Sequence, residues 1–352
     1  MAGSKIYMIG PSFRTQGGIS SVLCIYEANY KDSLGMEFIP SYSGHKRLKD
    51  IYYFVLCVLR VLWICLWERS PVFHIHTASK GSYLRKSIIA SICKVFNKTV
   101  IIHIHGAMFD KFLENSRPKK KQQIIKFLNK ADKLVVLSES WRRYFFDYVP
   151  ARNIKVIYNP SSTYDEKLEK KENVIPKILF MGRLGQRKGV YDLIEAAKKI
   201  KEKDFILTLY GDGEVDRVKE IVDRYGLSKK IEVNGWVSHS EIGKLYDDCD
   251  ILVLPSYAEG LPMSVLEAIG KGLAIVSTNV GGIAEAVLDG ENGFIVSPGD
   301  VERLSEKLEL LITNPDLRGR MGKRSHEIAG IKFSIHRIGK ELDALYSECK
   351  GR

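Results

Sequence analysis

The sequence predicts two α/β domains, each a parallel sheet doubly wound by helices, with the two domains facing a central cleft. Three observations predict it. The chain has 352 residues, well beyond the usual domain size of roughly 100–150. Short apolar runs alternate with longer amphipathic stretches from end to end, the pattern of repeated βαβ units. The alternation breaks once, at the polar, Lys- and Glu-rich stretch 161–176, which has no apolar period and reads as a linker.

Before the break, buried strands are expected at 5–10, 72–76, 99–105, 133–138 and 155–159, with helices over 18–30, 51–67, 82–95 and 119–131. They form a first domain, 1–160. Residues 31–50 and 107–123 within it read as irregular or basic and carry no informative motif. Segment 51–67, IYYFVLCVLRVLWICLW, is nearly continuous in apolar residues. As a helix it would be about 25 Å long, short of a bilayer core of roughly 30 Å. Arg60 lies in its middle, and a crossing would part the strands on either side, so it reads as a core or membrane-surface helix.

After the break, strands are expected at 177–182, 205–211, 231–235, 250–256, 274–278 and 293–297. Helices near 189–202, 214–226, 239–248, 263–271, 282–288 and 301–313 connect them. This is a second domain, 177–333, and a last helix in 334–352 can pack back on the first. In such sheets ligands bind at the carboxyl ends of the strands.

At 45% hydrophobic and 27% charged residues the composition is that of an ordinary globular chain. Its six cysteines are scattered, without a C-x-x-C pair, which fits idle thiols in a reducing cytosol. The start, MAGSKIYMIGPSF, does not read as a secretory signal. The net charge of +12 is uneven: up to Pro160 there are 25 Lys+Arg against 10 Asp+Glu, a balance of +15, and the remainder carries −3. A positive half suggests an anionic partner. RPKKKQQIIKFLNK (117–130) mixes Lys119, Lys120, Lys121, Lys126 and Lys130 with Ile124, Ile125, Phe127 and Leu128. That suits a helix lying at a headgroup interface, or equally one packed on the sheet with a solvated lysine face.

The most informative stretch is 250–287, DILVLPSYAEGLPMSVLEAIGKGLAIVSTNVGGIAEAV. Glu259 sits on the loop after a strand and Glu267 one turn inside the next helix, so the two carboxylates can meet the hydroxyls of one ligand. The loop Gly260-Leu261-Pro262-Met263 leads into helix amides that suit a phosphate. ILFMGRLGQRKGVYDLIEAA (178–197) ends a strand with Arg183 and sets Lys188 before a helix. Two fixed cations can stabilise charge growing on a departing phosphate. Gly17-Gly18 precedes a helix near the N-terminus and lets a ligand approach the backbone closely.

These motifs resemble glycosyltransferase family 4, retaining enzymes of the GT-B fold, over nearly the whole chain. The resemblance implies that Glu259 contacts the donor sugar and Glu267 the ribose. It implies that Arg183 and Lys188 bind the donor pyrophosphate, with the Gly17-Gly18 loop close by. His105, at the end of TVIIHIHG (99–106), matches the family histidine that contacts the donor sugar, whereas His74, His76 and His103 read as core. GDGE (211–214) resembles a turn that places Gly211 near the nucleotide, and VNGWV (233–237) a loop that sets Trp236 and Val237 beside the base. Asp248-Cys249-Asp250 has the D-x-D form of a metal site but reads as a helix-end turn, because Arg183 and Lys188 would neutralise the diphosphate.

The reading is therefore a retaining hexosyltransferase or N-acetylhexosaminyltransferase, using a nucleoside diphosphate sugar, a UDP-sugar, as co-substrate, with acceptor recognition in the first domain and no metal or other cofactor. The acceptor is expected to be lipid-linked or a polysaccharide, in cell-surface glycan synthesis such as lipopolysaccharide or capsule. The enzyme is expected to be cytoplasmic, peripheral on the inner face of an anionic membrane, without a nucleic-acid partner. A nucleotide-sugar 2-epimerase of the same architecture is the alternative. A dinucleotide-dependent oxidoreductase would need G-x-G-x-x-G after the first strand, which this chain lacks.

Overall fold

The computed structural model of the chain describes residues 5–44, 47–168, 170, 173–237 and 239–350. They form two compact units, one taking in the chain up to Pro160 and resuming at Ile335, the other Ser161–Ser334.

The first unit opens with β1 (Ile6–Gly10), α1 (Gly18–Leu34), β2 (Met36–Pro40), α2 (Arg47–Trp67), β3 (Val72–Thr77) and α3 (Gly81–Val95). It continues with β4 (Thr99–Ile104), α4 (Phe109–Glu114), α5 (Pro118–Leu128), β5 (Lys133–Val136), α6 (Glu139–Phe145) and β6 (Ile154–Val156). The strands make one parallel sheet in the order β2-β1-β3-β4-β5-β6. Its central strands are buried on both faces because helices cover both.

Two segments read as irregular are ordered. Residues 31–50 contain β2, an edge strand whose Glu37 and Pro40 obscure the strand pattern, and 107–123 contain α4. The basic helix α5 buries Ile124, Phe127 and Leu128 in the core. Its apolar side is thus occupied, and its lysines form the solvated face; Lys120 lies over the Phe112 ring.

The second unit runs β7 (Lys177–Met181), α7 (Val190–Lys199), β8 (Ile206–Tyr210), α8 (Val215–Arg224), β9 (Ile231–Asn234), α9 (His239–Asp247) and β10 (Ile251–Leu254). It ends with α10 (Met263–Gly270), β11 (Ala274–Thr278), α11 (Ile283–Ala286), β12 (Gly293–Val296), α12 (Val301–Thr313) and α13 (Pro315–Ile328). The parallel order is β12-β11-β10-β7-β8-β9, so the winding reverses between β7 and β10, where such sheets open a ligand crevice.

α13 was not apparent in the sequence, because few of its residues are large and apolar, yet Asn314 caps it and Pro315 starts it. The polar stretch after Pro160 is bonded to this unit. Ser161 Oγ donates to Leu266 O at 2.7 Å and Thr163 Oγ1 to Glu267 O at 2.6 Å. α14 (Ile335–Lys350) returns to the first unit, where Lys133 and Lys155 both pair with Glu348.

α14 also closes a buried histidine array on β3 and β4. Tyr346 OH lies 2.8 Å from His74 Nδ1, and His74 Nε2 lies 3.2 Å from His103 Nδ1. His76 stacks on His74 with ring centroids 4.5 Å apart. The Nε2 atoms of His76 and His103 have no hydrogen-bond partner among the described residues. Burial is the main cause that holds His74 down at about 3 and His76 and His103 well below the ordinary value of 6.5. The unfolded chain takes up protons below about 6.5 while the fold refuses them, so the stability tied to these rings is complete above that pH and drains away as pH falls. The unfolding midpoint is therefore expected to drop between pH 7 and pH 5. His103→Asn, which keeps an acceptor for His74, should drop less steeply; parallel curves for the two proteins would show that the array is not the cause.

Candidate active site in the second unit

Glu259 stands on the loop after β10, its side chain only 6% exposed. Lys188, on the short turn after β7, places Nζ 2.5 Å from Glu259 Oε1, and Ser256 Oγ donates to the same oxygen at 2.7 Å. Arg187 Nη1 lies 3.9 Å from Oε2 and donates to Ala258 O at 3.0 Å. The carboxylate therefore has two cations and a hydroxyl around it, which offsets the cost of burying its charge.

Glycines make this crowding possible. Gly189 (φ +71°) passes so close to the β10 loop that a Cβ there would stand 2.0 Å from Pro255 O. Gly281 (φ +59°) does the same beneath Glu259, where a Cβ would lie 2.1 Å from its carbonyl oxygen. Gly282 N–H donates to Gly260 O at 2.6 Å, so the Gly-Gly pair after β11 holds the Glu259-Gly260 loop in place. The loop runs through Leu261 and Pro262 to Met263, the first residue of α10, and no side chain caps that helix.

Glu267 is fully inside α10 and buried. Tyr246 OH donates to its Oε2 at 3.1 Å. Burial dominates here and raises the carboxyl from the ordinary 4.5 to about 7, with bonds from Tyr246 and Ser162 opposing it.

Arg183 shares the β7 loop with Lys188, but its exposed guanidinium pairs with Asp212 at 3.1 Å. Gly211 is pressed on that same loop: a Cβ would meet Gly182 O at 1.9 Å, and its own N–H donates to Gly235 O at 3.1 Å. The position is explained by loop packing, which brings the ends of β7, β8 and β9 together. Trp236 is 52% exposed and Val237 half-buried on the loop after β9.

The remaining candidates lie in the first unit. Gly17 (φ +135°) and Gly18 open α1 with no atom within 4 Å of where a Cβ would stand. His105 follows β4; its Nε2 is 2.8 Å from His76 Nδ1, and burial lowers it to about 3. Its imidazole is thus neutral and directed by His76.

Asp250 Oδ2 accepts the Lys177 N–H at 2.8 Å and Asn173 Nδ2 at 3.0 Å. It sits at the amino end of β10, the edge of the sheet opposite to Glu259, where it ties β7 to β10.

Sequence reasoning gave no role to Arg187, Tyr246 or His76. Arg187 lies between Arg183 and Lys188 in ILFMGRLGQRKGVYDLIEAA (178–197), whereas Tyr246 and His76 touch their partners only through the fold.

Two family models match the chain, "Glycosyl transferases group 1" over residues 162–327 and "Glycosyltransferase Family 4" over 26–163. An uncharacterised glycosyltransferase of Methanocaldococcus jannaschii is 31% identical over 269 residues, 70% of this chain and 75% of that protein. The chain belongs to glycosyltransferase family 4. A capsular polysaccharide biosynthesis glycosyltransferase of Staphylococcus aureus is 30% identical over 185 residues, about half of either chain (52% and 49%). Among solved structures, sucrose-phosphate synthase from Thermosynechococcus elongatus has a TM-score of 0.80 at 18% identity, covering 98% of both chains. An Anabaena protein in complex with UDP-glucose has a TM-score of 0.76 at 19% identity, covering 98% and 99%. The likeness to these structures is one of fold, the GT-B architecture of two α/β domains.

The arrangement can do two kinds of work in a glycosyltransferase. The Glu259–Lys188 pair offers a fixed acceptor beside a fixed cation, suited to a hydroxylated and anionic ligand. Glu267 offers a carboxyl that changes protonation near neutral pH. Its linkage runs opposite to that of the histidines: the raised value favours the protonated fold, so the stability it contributes is present below about 4.5 and is lost as pH rises through 7. Glu267→Gln is expected to raise the unfolding midpoint of the free enzyme at pH 8, with the gain shrinking toward pH 5. A lowered midpoint at pH 8 would mean that the ionised carboxylate stabilises the fold.

Proposed function

We propose that the enzyme transfers a hexose or N-acetylhexosamine from a nucleoside diphosphate sugar, a UDP-sugar, with retention of anomeric configuration and without a metal. The observation that carries this reading is the buried Glu259 held by Lys188 at 2.5 Å, at the reversal point of the second sheet. In this reading Glu259 binds hydroxyls of the donor sugar and Glu267 those of the ribose. Lys188 and Arg183 turn from their carboxylates to the diphosphate. The acceptor oxygen attacks the anomeric carbon from the face that the phosphate leaves. The bond to the phosphate breaks as the new glycosidic bond forms, and the acceptor proton passes to the departing phosphate oxygen. The cations stabilise the charge that develops there.

The UDP-glucose complex of the Anabaena neighbour supports a UDP-sugar. The Staphylococcus relative, by its name a capsule enzyme, supports cell-surface glycan as the product. The acceptor is lipid-linked or a polysaccharide, presented at the cytosolic face of a membrane; the +15 balance of the chain up to Pro160 suits an anionic surface. With Asp250 engaged in bonds to Lys177 and Asn173, two cations rather than a divalent ion serve the diphosphate.

Thermal stabilisation across a panel of nucleotide sugars identifies the donor. With it, Glu259→Ala, Arg183→Ala and Lys188→Ala are each expected to lose at least about a hundredfold in turnover. Near-normal turnover in all three folded variants would sink the assignment. Turnover is also expected to persist in excess EDTA, whereas loss restored by Mg2+ or Mn2+ would establish a metal requirement.

A further inference from the structure

α2 has two unlike faces. Its inner face, Cys57, Val61, Ile64 and Cys65, is built into the core of the first unit. Its outer face carries Leu48, Tyr52, Leu59, Trp63, Leu66 and Trp67, exposed by 80, 61, 57, 58, 64 and 74%. With the exposed Val55 between them, these recur at intervals of three or four residues as far as Leu66, with Trp67 beside it, one stripe along a helix. From Ile51 to Trp67 the single charged residue is Arg60, and it pairs with Glu37. Leu48–Trp67 is long and apolar enough to cross a membrane, with a mean hydropathy of 1.8. Its inner face and its place between two strands of one sheet tie it to the surface of the unit instead.

α2 packs against α3, which has exposed apolar residues of its own. Leu84 and Ile88 are 60 and 41% exposed, four residues apart on one face. α5 flanks α3, and just beyond its end Lys130 Nζ donates to Ser91 Oγ of α3 at 2.5 Å. Along this flank runs an open groove of about 580 Å³. Its lining includes Lys80, Lys120, Lys126 and Lys130 and no carboxylate. Tryptophan and tyrosine on an apolar stripe, edged by lysines, are the composition of a bilayer interface.

We infer that the outer face of α2, extended by Leu84 and Ile88, sits in the interface of an anionic bilayer, and that the lysine groove beside it takes headgroup phosphates. This rests on the membrane reading proposed above and names its surface. Charge complementarity selects the occupant. A second copy would bring the same lysines to the patch, whereas anionic lipid supplies apolar depth and negative charge together. It also moves docking from α5 alone, whose apolar side is in the core, to the neighbouring pair α2 and α3.

Co-sedimentation with vesicles of phosphatidylcholine, with and without about a third phosphatidylglycerol, tests the inference. Binding should need phosphatidylglycerol and weaken with salt. The exposed pair Trp63→Glu and Leu66→Glu should lower partitioning at least about tenfold, and so should Lys120→Gln with Lys126→Gln. Unfolding midpoints check that each variant is folded. Hydrolysis of UDP-glucose without acceptor, unchanged in both, reports on the second unit and separates a failed docking surface from a failed transferase assignment. Parent-like binding by the glutamate pair would overturn the apolar face, and parent-like binding by the glutamine pair would overturn the groove. A dimer that the glutamate pair dissolves would assign the face to self-association and overturn the proposal.

Discussion

Every strand of both sheets runs parallel to its neighbours, and that constraint organises the rest of the chain. Parallel strands need crossover helices, the helices cover both faces, and the central strands become buried throughout. Polar chemistry is then driven to the strand ends, and in each unit all the strand-to-helix loops leave by the same edge. In the second unit this crowds the loops after β7, β8, β10 and β11 together. The contacts at Gly189, Gly211 and Gly281 show how tight that edge is, since a methyl group at any of the three would overlap a carbonyl oxygen.

Two glutamates eight positions apart consequently live in different surroundings. Glu259 is on the loop, where Lys188 and Arg187 reach it from the turn after β7. Glu267 is within the helix, where burial dominates and a phenol and a serine hydroxyl supply the hydrogen bonds. The same residue type is thus prepared as a cation-paired acceptor in one place and as a group that titrates near neutrality in the other. The histidines show the complementary effect: neutral rings can be stacked within a sheet core because burial suppresses their charge.

What the sequence disclosed follows from how local each signal is. The central strands are short buried runs rich in Ile, Leu and Val, and their positions could be read to within a residue or two. β2 was hidden because an edge strand keeps Glu37 and Pro40. α13 was hidden because it docks through small and polar residues, including a buried Arg318 that donates to Leu311 O. In the second unit, Glu259 and Lys188 were legible from spacing inside two motifs, but their direct contact spans 71 residues. Tyr246 and His76 left no local trace: each acts on a neighbour that only the packing of α9 on α10, or of β3 on β4, brings near. The polar run after Pro160 carried no period because its described residues make no helix or strand; Ser161 and Thr163 bond to the backbone of α10 instead.

The return of α14 to the first unit means that this unit is discontinuous in the chain, with the whole of the second inserted between β6 and α14. On the ribosome the order of completion is therefore inverted. The second unit is contiguous and can close while the first still waits for Tyr346 to reach His74 and for Glu348 to reach Lys133 and Lys155. Until then the nascent first unit carries an unfilled seam beside its histidines. A product lacking α14 would carry a complete second unit attached to a first unit whose His74, Lys133 and Lys155 lack these partners.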